Sequence, residues 1–139
     1  MDIIALIVQI VLAILYGVGL WIAYSVAQRQ SKNDFFAEYT RRYENIILAM
    51  PEDVFEGTAK VDGTTLKYMQ LYFDLCSEEY HLHKKGLIPD DVWDNWKEGM
   101  EITTHVELYK ESWHRIKDNY NEAFCHFMEK EVLKLGNGK

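Results

Sequence analysis

Residues 3–27 read IIALIVQIVLAILYGVGLWIAYSVA, and the reading of this stretch decides the fold. It carries no formal charge, and only Gln9 and Ser25 are plainly polar. As a helix rising about 1.5 Å per residue it reaches about 37 Å, enough to cross a hydrocarbon core of about 30 Å with some tilt. Lipid offers the backbone no hydrogen-bond partners, so a lone span of this kind has to be helical. The stretch predicts one transmembrane anchor over residues 1–28, with the lipid bilayer as its first partner. A cleaved signal peptide is the competing reading, since Ser25-Val26-Ala27 has small residues at a cleavage-like spacing. Against it, the start is Met1-Asp2 with no Lys or Arg, and the apolar run exceeds the 7–15 residues typical of a signal core.

The flanks set the expected orientation. Asp2 is the only charge before the span, whereas Arg29, Lys32, Arg41 and Arg42 follow it. Basic residues close to a span stay on the cytoplasmic side, which places the N-terminus outside and residues 29–139 in the cytoplasm. Trp21 and Tyr24 then fall near the inner interface, where amphipathic rings collect. At about 100° per residue, Ala5, Gln9, Tyr16, Gly19, Ala23 and Ala27 gather on one side of the span, with Ala13 at the edge. Ile3, Ile7, Ile10, Ile14, Val18 and Trp21 take the other side. Small residues four apart let helix backbones approach, so the first side is the expected interface with other transmembrane helices, of a second copy or of a larger membrane complex.

The remainder suits one domain. It holds all 15 Lys and Arg and every one of the 22 Asp and Glu except Asp2, so it is acidic. Nucleic-acid surfaces are basic, and no nucleic-acid partner is expected. Cys76 and Cys125 stand far apart, which in a reducing cytoplasm predicts free thiols.

Helical periodicity runs through this domain, and no strand-length alternation interrupts it. Asn33 or Asp34 can cap a helix over 34–50 with Phe35, Phe36, Tyr39, Tyr43, Ile46, Ile47 and Met50 on one face, ending before Pro51. Nothing between Gln28 and Lys32 forbids continuity with the membrane helix, and the sequence leaves that point open. Residues 51–63 read as a loop with room for one short turn. A second helix, 64–86, carries Leu66, Met69, Tyr72, Phe73, Cys76, Tyr80 and His83 on one face. Gly86 suits the left-handed position past its end, with Leu87 folding back onto the apolar face. Asp90 is the expected cap of a third helix, 90–103, bearing Val92, Trp93, Trp96 and Met100. A last helical stretch, 104–135, is expected to weaken near Asp118 to Asn121, and the tail Gly136-Asn137-Gly138-Lys139 to fray. The fold class is all-α: one N-terminal transmembrane helix followed by a small bundle of four to five helices cored by aromatic residues.

The segment Leu71–Met100, LYFDLCSEEYHLHKKGLIPDDVWDNWKEGM, and the preceding RRYENIILAMP resemble a pattern in small, uncharacterised bacterial membrane proteins. Leu75-Cys76-Ser77-Glu78-Glu79 and Trp93-x-x-Trp96-x-x-Gly99-Met100 carry the resemblance. It implies the same architecture and a place in the bacterial inner membrane, and no activity.

Two Glu-x-x-His pairs, Glu78/His81 and Glu111/His114, have the spacing used by di-iron bundles, but helical geometry turns both away from the apolar faces where such ligands must point. Cys76, Glu79 and His83 share one side of the second helix and are the better metal candidates, with Cys125 or His126 as a fourth ligand. A buried cysteine beside a half-exposed histidine accounts for that trio without a metal. Glu78 and Glu79, followed by Lys84 and Lys85, read equally well as a solvated face with end-of-helix lysines. Phosphate-cradling loops, zinc-protease histidine pairs and nucleophile elbows are absent, and no cofactor is expected. The sequence thus favours a membrane-anchored interaction or accessory protein over a tethered enzyme or metal-binding domain, with a membrane-linked regulator third.

Overall fold

The computed structural model describes residues 2–135, so the expected fraying of Gly136 to Lys139 lies outside the described residues. Its secondary structure is entirely helical among those residues. The chain divides into two units, one ending at Phe35 and the other beginning at Phe36.

From Ile3 onward the first unit lies within α1, which spans Ile3–Ala49. No helix starts at Asn33 or Asp34; both sit mid-helix, so the point the sequence left open resolves as continuity. The apolar part is long enough and apolar enough to cross a membrane by length and composition, and none of that window is buried. Ile14, Leu15 and Trp21 are 59%, 62% and 68% exposed. Core helices of water-soluble proteins bury such side chains, and this one buries none of them.

The second unit is the bundle of about five helices. Its first element is the end of α1, where Tyr39 is buried, Ile46 and Ile47 pack on the core, and Met50 lies just past the helix. The 51–63 connection contains one short helical turn, α2 (Glu52–Phe55), which buries Val54. Gly57 follows with φ +75°, and a Cβ there would run into the Val106 side chain, so the position requires glycine twice over.

α3 (Gly63–Lys84) is the central element. Asp62 caps it by accepting from the Thr65 amide at 2.9 Å. At the other end Gly86 adopts φ +70°, with Gly86 N–H donating to the His83 carbonyl and Leu87 N–H to the Leu82 carbonyl. This is the paired-bond termination expected of a left-handed glycine. Leu87, expected to fold back, is 39% exposed, and Ile88 is buried in its place. Neighbours in an extended segment point to opposite sides, and the residue before Pro89 is held extended, so only one of the two can face inward. α3 buries Met69, Tyr72, Phe73, Cys76 and Tyr80 of the expected stripe, with Leu66 and His83 half-buried, and adds Thr65, Leu75 and Glu79, because α4 and α5 both pack on it.

α4 (Asp90–Thr103) begins one residue earlier in role than expected: Pro89 is its N-cap, and Asp90 with Asp91 forms an acidic first turn that suits the helix dipole. Thr104 ends it, its buried hydroxyl donating to the Met100 carbonyl at 2.7 Å. α5 (Glu107–Ile116) supplies Tyr109 and Trp113 to the core. The expected weak point is a full break, with a 3-10 turn at Lys117–Asn119 and an extended Tyr120. Asn121 then caps α6 (Glu122–Phe127), accepting from the Phe124 amide. A π-turn at Met128–Val132 replaces the expected α-helical finish; with Leu133 N–H bonded to the Met128 carbonyl five residues back, each turn holds more residues and Met128, Val132 and Leu133 are all buried.

Trp113, 0% exposed, lies at the centre of the core. Phe73, Tyr120 and Phe124 surround it with ring centroids 5.1, 5.5 and 5.8 Å away. Tyr80, Trp93 and Phe127 extend the cluster. Such pairs add to the area term, which makes aromatics an efficient core for a small domain.

Candidate functional site

Where the last turns of α1 meet α3 and α4, the packing leaves a cleft of ≈ 390 Å³. α1 lines it with Phe36, Tyr39, Thr40 and Tyr43, and α3 with Tyr72, Leu75, Cys76 and Glu79. α4 contributes Asn95, Trp96, Gly99, Met100 and Thr103. The amphipathic stripe of α1 explains the opening. Tyr39 reaches the core, while Phe36 and Tyr43 remain 46% and 40% exposed as the cleft's outer wall. Trp96 is shared between Phe36, stacked at 6.1 Å and 10°, and Tyr39 at 5.9 Å. Gly99 adds space, since a Cβ there would meet nothing within 4 Å.

One wall is chemically distinct. Glu79 is 7% exposed, and no hydrogen bond or ion pair to it occurs among the described residues. Burial pushes its carboxyl up to about 8; the Arg42 guanidinium opposes this and Glu78 reinforces it. The acid is therefore mostly neutral at pH 7. Its neighbour Glu78 behaves oppositely. Both guanidinium arms of Arg42 donate to it, at 2.5 and 3.0 Å, and the Tyr39 hydroxyl donates at 3.0 Å. Those bonds hold the Glu78 carboxyl below the usual range. Two adjacent glutamates thus have separate fates, one in a charge-assisted clamp tying α1 to α3 and one left neutral in the cleft. The solvated-face reading fails for Glu79, because α3 is covered on this side by both α1 and α4.

Cys76 lies deeper, and burial with the nearby Glu79 pushes its thiol well above the ordinary range. A protonated, desolvated thiol is a poor nucleophile. Burial also raises the Tyr43 and Tyr72 hydroxyls. The lining groups are held neutral, which equips the cleft to bind rather than to attack.

Of the metal candidates, Cys76 and Glu79 share the cleft, while His83 lies face to face with Trp93, 4.5 Å away and 4° from parallel. Cys125 donates its S–H to the Lys117 carbonyl at 3.3 Å, and His126 is exposed. No group of three His, Cys, Asp or Glu able to hold a metal occurs among the described residues. In the Glu-x-x-His pairs, Glu78 is committed to Arg42, and Glu111 accepts from Arg115 at 2.8 Å beside an exposed His114. His81 is fixed between the Ser77 carbonyl at Nδ1 and the Asn121 amide at Nε2. A carbonyl can only accept and the Asn121 oxygen is used as a cap, so Nδ1 bears the proton and Nε2 accepts. The small-residue side of the span, Ala5, Gln9, Ala13, Tyr16, Gly19, Ala23 and Ala27, lies on α1 with every member exposed.

The sequence reading took Glu79 as a metal ligand or as part of a solvated face and missed the cleft around it. The signal available was an acid at the same helical face as Met69, Tyr72 and Cys76, together with Gly99 one turn from Trp96. Compared with protein-family models, curated proteins and solved structures, the chain matches none.

Proposed function

We propose that this protein is a single-pass, membrane-anchored accessory or interaction protein. In this reading Ile3–Ala27 crosses the bilayer, its small-residue side meets a neighbouring transmembrane helix, and the acidic bundle meets a partner in the cytoplasm. The observation that carries it is that the apolar part of α1 has none of its side chains buried, so its favourable environment lies outside this chain. The basic collar of Arg29, Lys32, Arg41 and Arg42 supports a cytoplasmic bundle. The resemblance carried by Leu71–Met100 supports a bacterial inner-membrane setting.

Gentle detergent extraction followed by identification of co-purifying proteins tests the reading. The Gly19→Leu/Ala23→Leu double variant is expected to lose a partner or self-association that Ile10→Leu/Ile14→Leu retains; equal behaviour removes the face assignment. A cysteine introduced near Lys139 should be shielded from impermeant thiol reagents in intact cells. Intact mass of the extracted protein separates a retained anchor from a cleaved signal.

A further inference from the structure

We propose that the cleft between α1, α3 and α4 binds a small organic cation with an apolar body, Glu79 serving as its counter-ion and Tyr43, Tyr72 and Trp96 as its aromatic surround. The site lies within the bundle, so its test stands apart from that of the anchor. Three observations converge. The cavity, ≈ 390 Å³, falls in the range of about 300–1,000 Å³ typical of small-ligand sites and is predominantly apolar with few polar groups. Glu79, a residue only 7% exposed, lines it, and its carboxyl has no hydrogen-bond or ion-pair partner among the described residues. Buried polar groups are nearly always paired, and an unpaired acid facing a cavity leaves the place of its partner to a ligand.

Charge and ring chemistry select the ligand's sign. Aromatic faces attract cations, and one edge of this cleft already shows it: the Arg42 guanidinium stands over the Tyr39 ring at 5.1 Å. Arg42 does not serve Glu79 as well, because its hydrogen bonds go to Glu78. The charged and titratable groups around Glu79 are Arg42, Tyr39 and Tyr43 from α1 and Tyr72, Cys76 and Glu78 from α3, while the α4 lining is uncharged. With the Arg42–Glu78 pair balanced and the tyrosines and thiol neutral, an ionised Glu79 makes the cleft singly negative. An anion would be repelled by the acid once ionised, and a neutral guest would gain no charged contact from it. A cation turns the cost of ionising Glu79 into a charge-assisted contact, displacing the acid's proton to solvent as it binds.

The experiment uses the full chain in a non-ionic maltoside micelle and three guests of matched shape: 2-phenylethylamine, 2-phenylethanol and 3-phenylpropanoate. Titration calorimetry in two buffers of different ionisation heat should show the amine releasing close to one proton at pH 7 and the alcohol none. From about pH 6.5 to about pH 8.5, where the amine stays protonated, its affinity should rise by up to about 20-fold while that of the alcohol stays flat. Glu79→Gln, nearly isosteric, should weaken the amine by at least about 10-fold, abolish proton release and leave the alcohol unchanged. Trp96→Leu should weaken the amine and keep the proton release. The proposal is overturned if the alcohol or the propanoate binds as tightly as the amine at the higher pH. It is overturned equally if proton release is absent, if Glu79→Gln binds the amine normally, or if the amine gives no heat at about 10 mM.

Discussion

The two units of this chain use apolar residues in opposite ways. In the first, aliphatic residues cover a helix on all sides and stay exposed, Leu12 at 59% and Ile14 at 59%. In the second, core aromatic residues such as Phe73, Trp113 and Phe124, each at 0%, pack inward from one stripe of their helices. Hydrophobicity alone does not separate the two uses. What separates them is the polar complement: the bundle helices carry charge on the faces that the core leaves free, and Ile3–Ala27 has no charged face to offer water. Water can therefore organise the second region and not the first.

The largest effect that distinguishes them is core truncation. Trp113→Ala removes the ring around which Phe73, Tyr120 and Phe124 assemble, and is expected to destabilise the bundle by about 3–5 kcal/mol. Trp21→Ala, removing the same side chain from a site 68% exposed, should leave the bundle's unfolding midpoint unchanged. Chemical denaturation followed by circular dichroism in micelles measures both, and equal losses would break the comparison.

Glu79 gives the next effect, with the opposite sign. Its folded value of about 8 lies above that of an exposed glutamate, so the folded state holds the proton more tightly than the unfolded chain. The stabilisation linked to that proton is full below about pH 4.5 and is lost as pH rises through about 8, a change of order 3 kcal/mol by pH 7. Glu79→Gln should recover much of this and flatten the fall in stability between those limits. Glu78 opposes the trend, since its lowered value contributes stability that disappears on acidification; its exposure makes that contribution small. A residue that costs the bundle stability where it stands is a mark of a site rather than of packing. A Glu79→Gln variant no more stable than the parent at pH 8 would show that the carboxyl is not desolvated.

Much of this was legible in the sequence, and the reasons for the exceptions are physical. Uncharged length identified the long apolar helix as a candidate span, and period 3.6 located the core stripes, because both are properties of a single helix. Gly86 marked a real helix end, since such terminations act through local backbone bonds. Asn33 and Asp34 have equally good capping chemistry yet lie inside α1, because a capping residue only permits a start and neighbouring helix formers carried the helix through. The cleft was not legible for another reason. Whether Glu79 faces water or a void depends on where α1 and α4 cross α3, and no periodicity within α3 records that. The π-turn escaped for the same cause, as its i→i+5 bonding goes with bringing Leu133 to the buried side of Met128 and Val132.

A smaller effect tests the capping argument. Asp62→Ala removes the acceptor for the Thr65 amide and should cost about 1 kcal/mol, while Asp34→Ala, mid-helix, should be neutral or slightly stabilising. Denaturation midpoints of the two variants decide it, and a loss at Asp34 matching that at Asp62 would restore a helix start there.

The smallest expected effect is the most demanding check on the comparison. Leu12→Ala with Leu15→Ala deletes two large side chains, and in a folded core such a pair would cost several kcal/mol. Here they are 59% and 62% exposed, and an area term applies only to surface that folding takes out of water. The bundle's unfolding midpoint should stay within about 0.5 kcal/mol of the parent, the spread ordinary for surface substitutions. Alanine remains tolerable in a span, and the run still contains no charge, so the variant should also stay in the membrane fraction after alkaline washing. The two readouts together discriminate. Retention with an unmoved midpoint means that these leucines contribute through their surroundings alone. A midpoint shift above about 1 kcal/mol would mean that burial fails as the criterion separating the two regions, since side chains without buried surface would then carry folding energy.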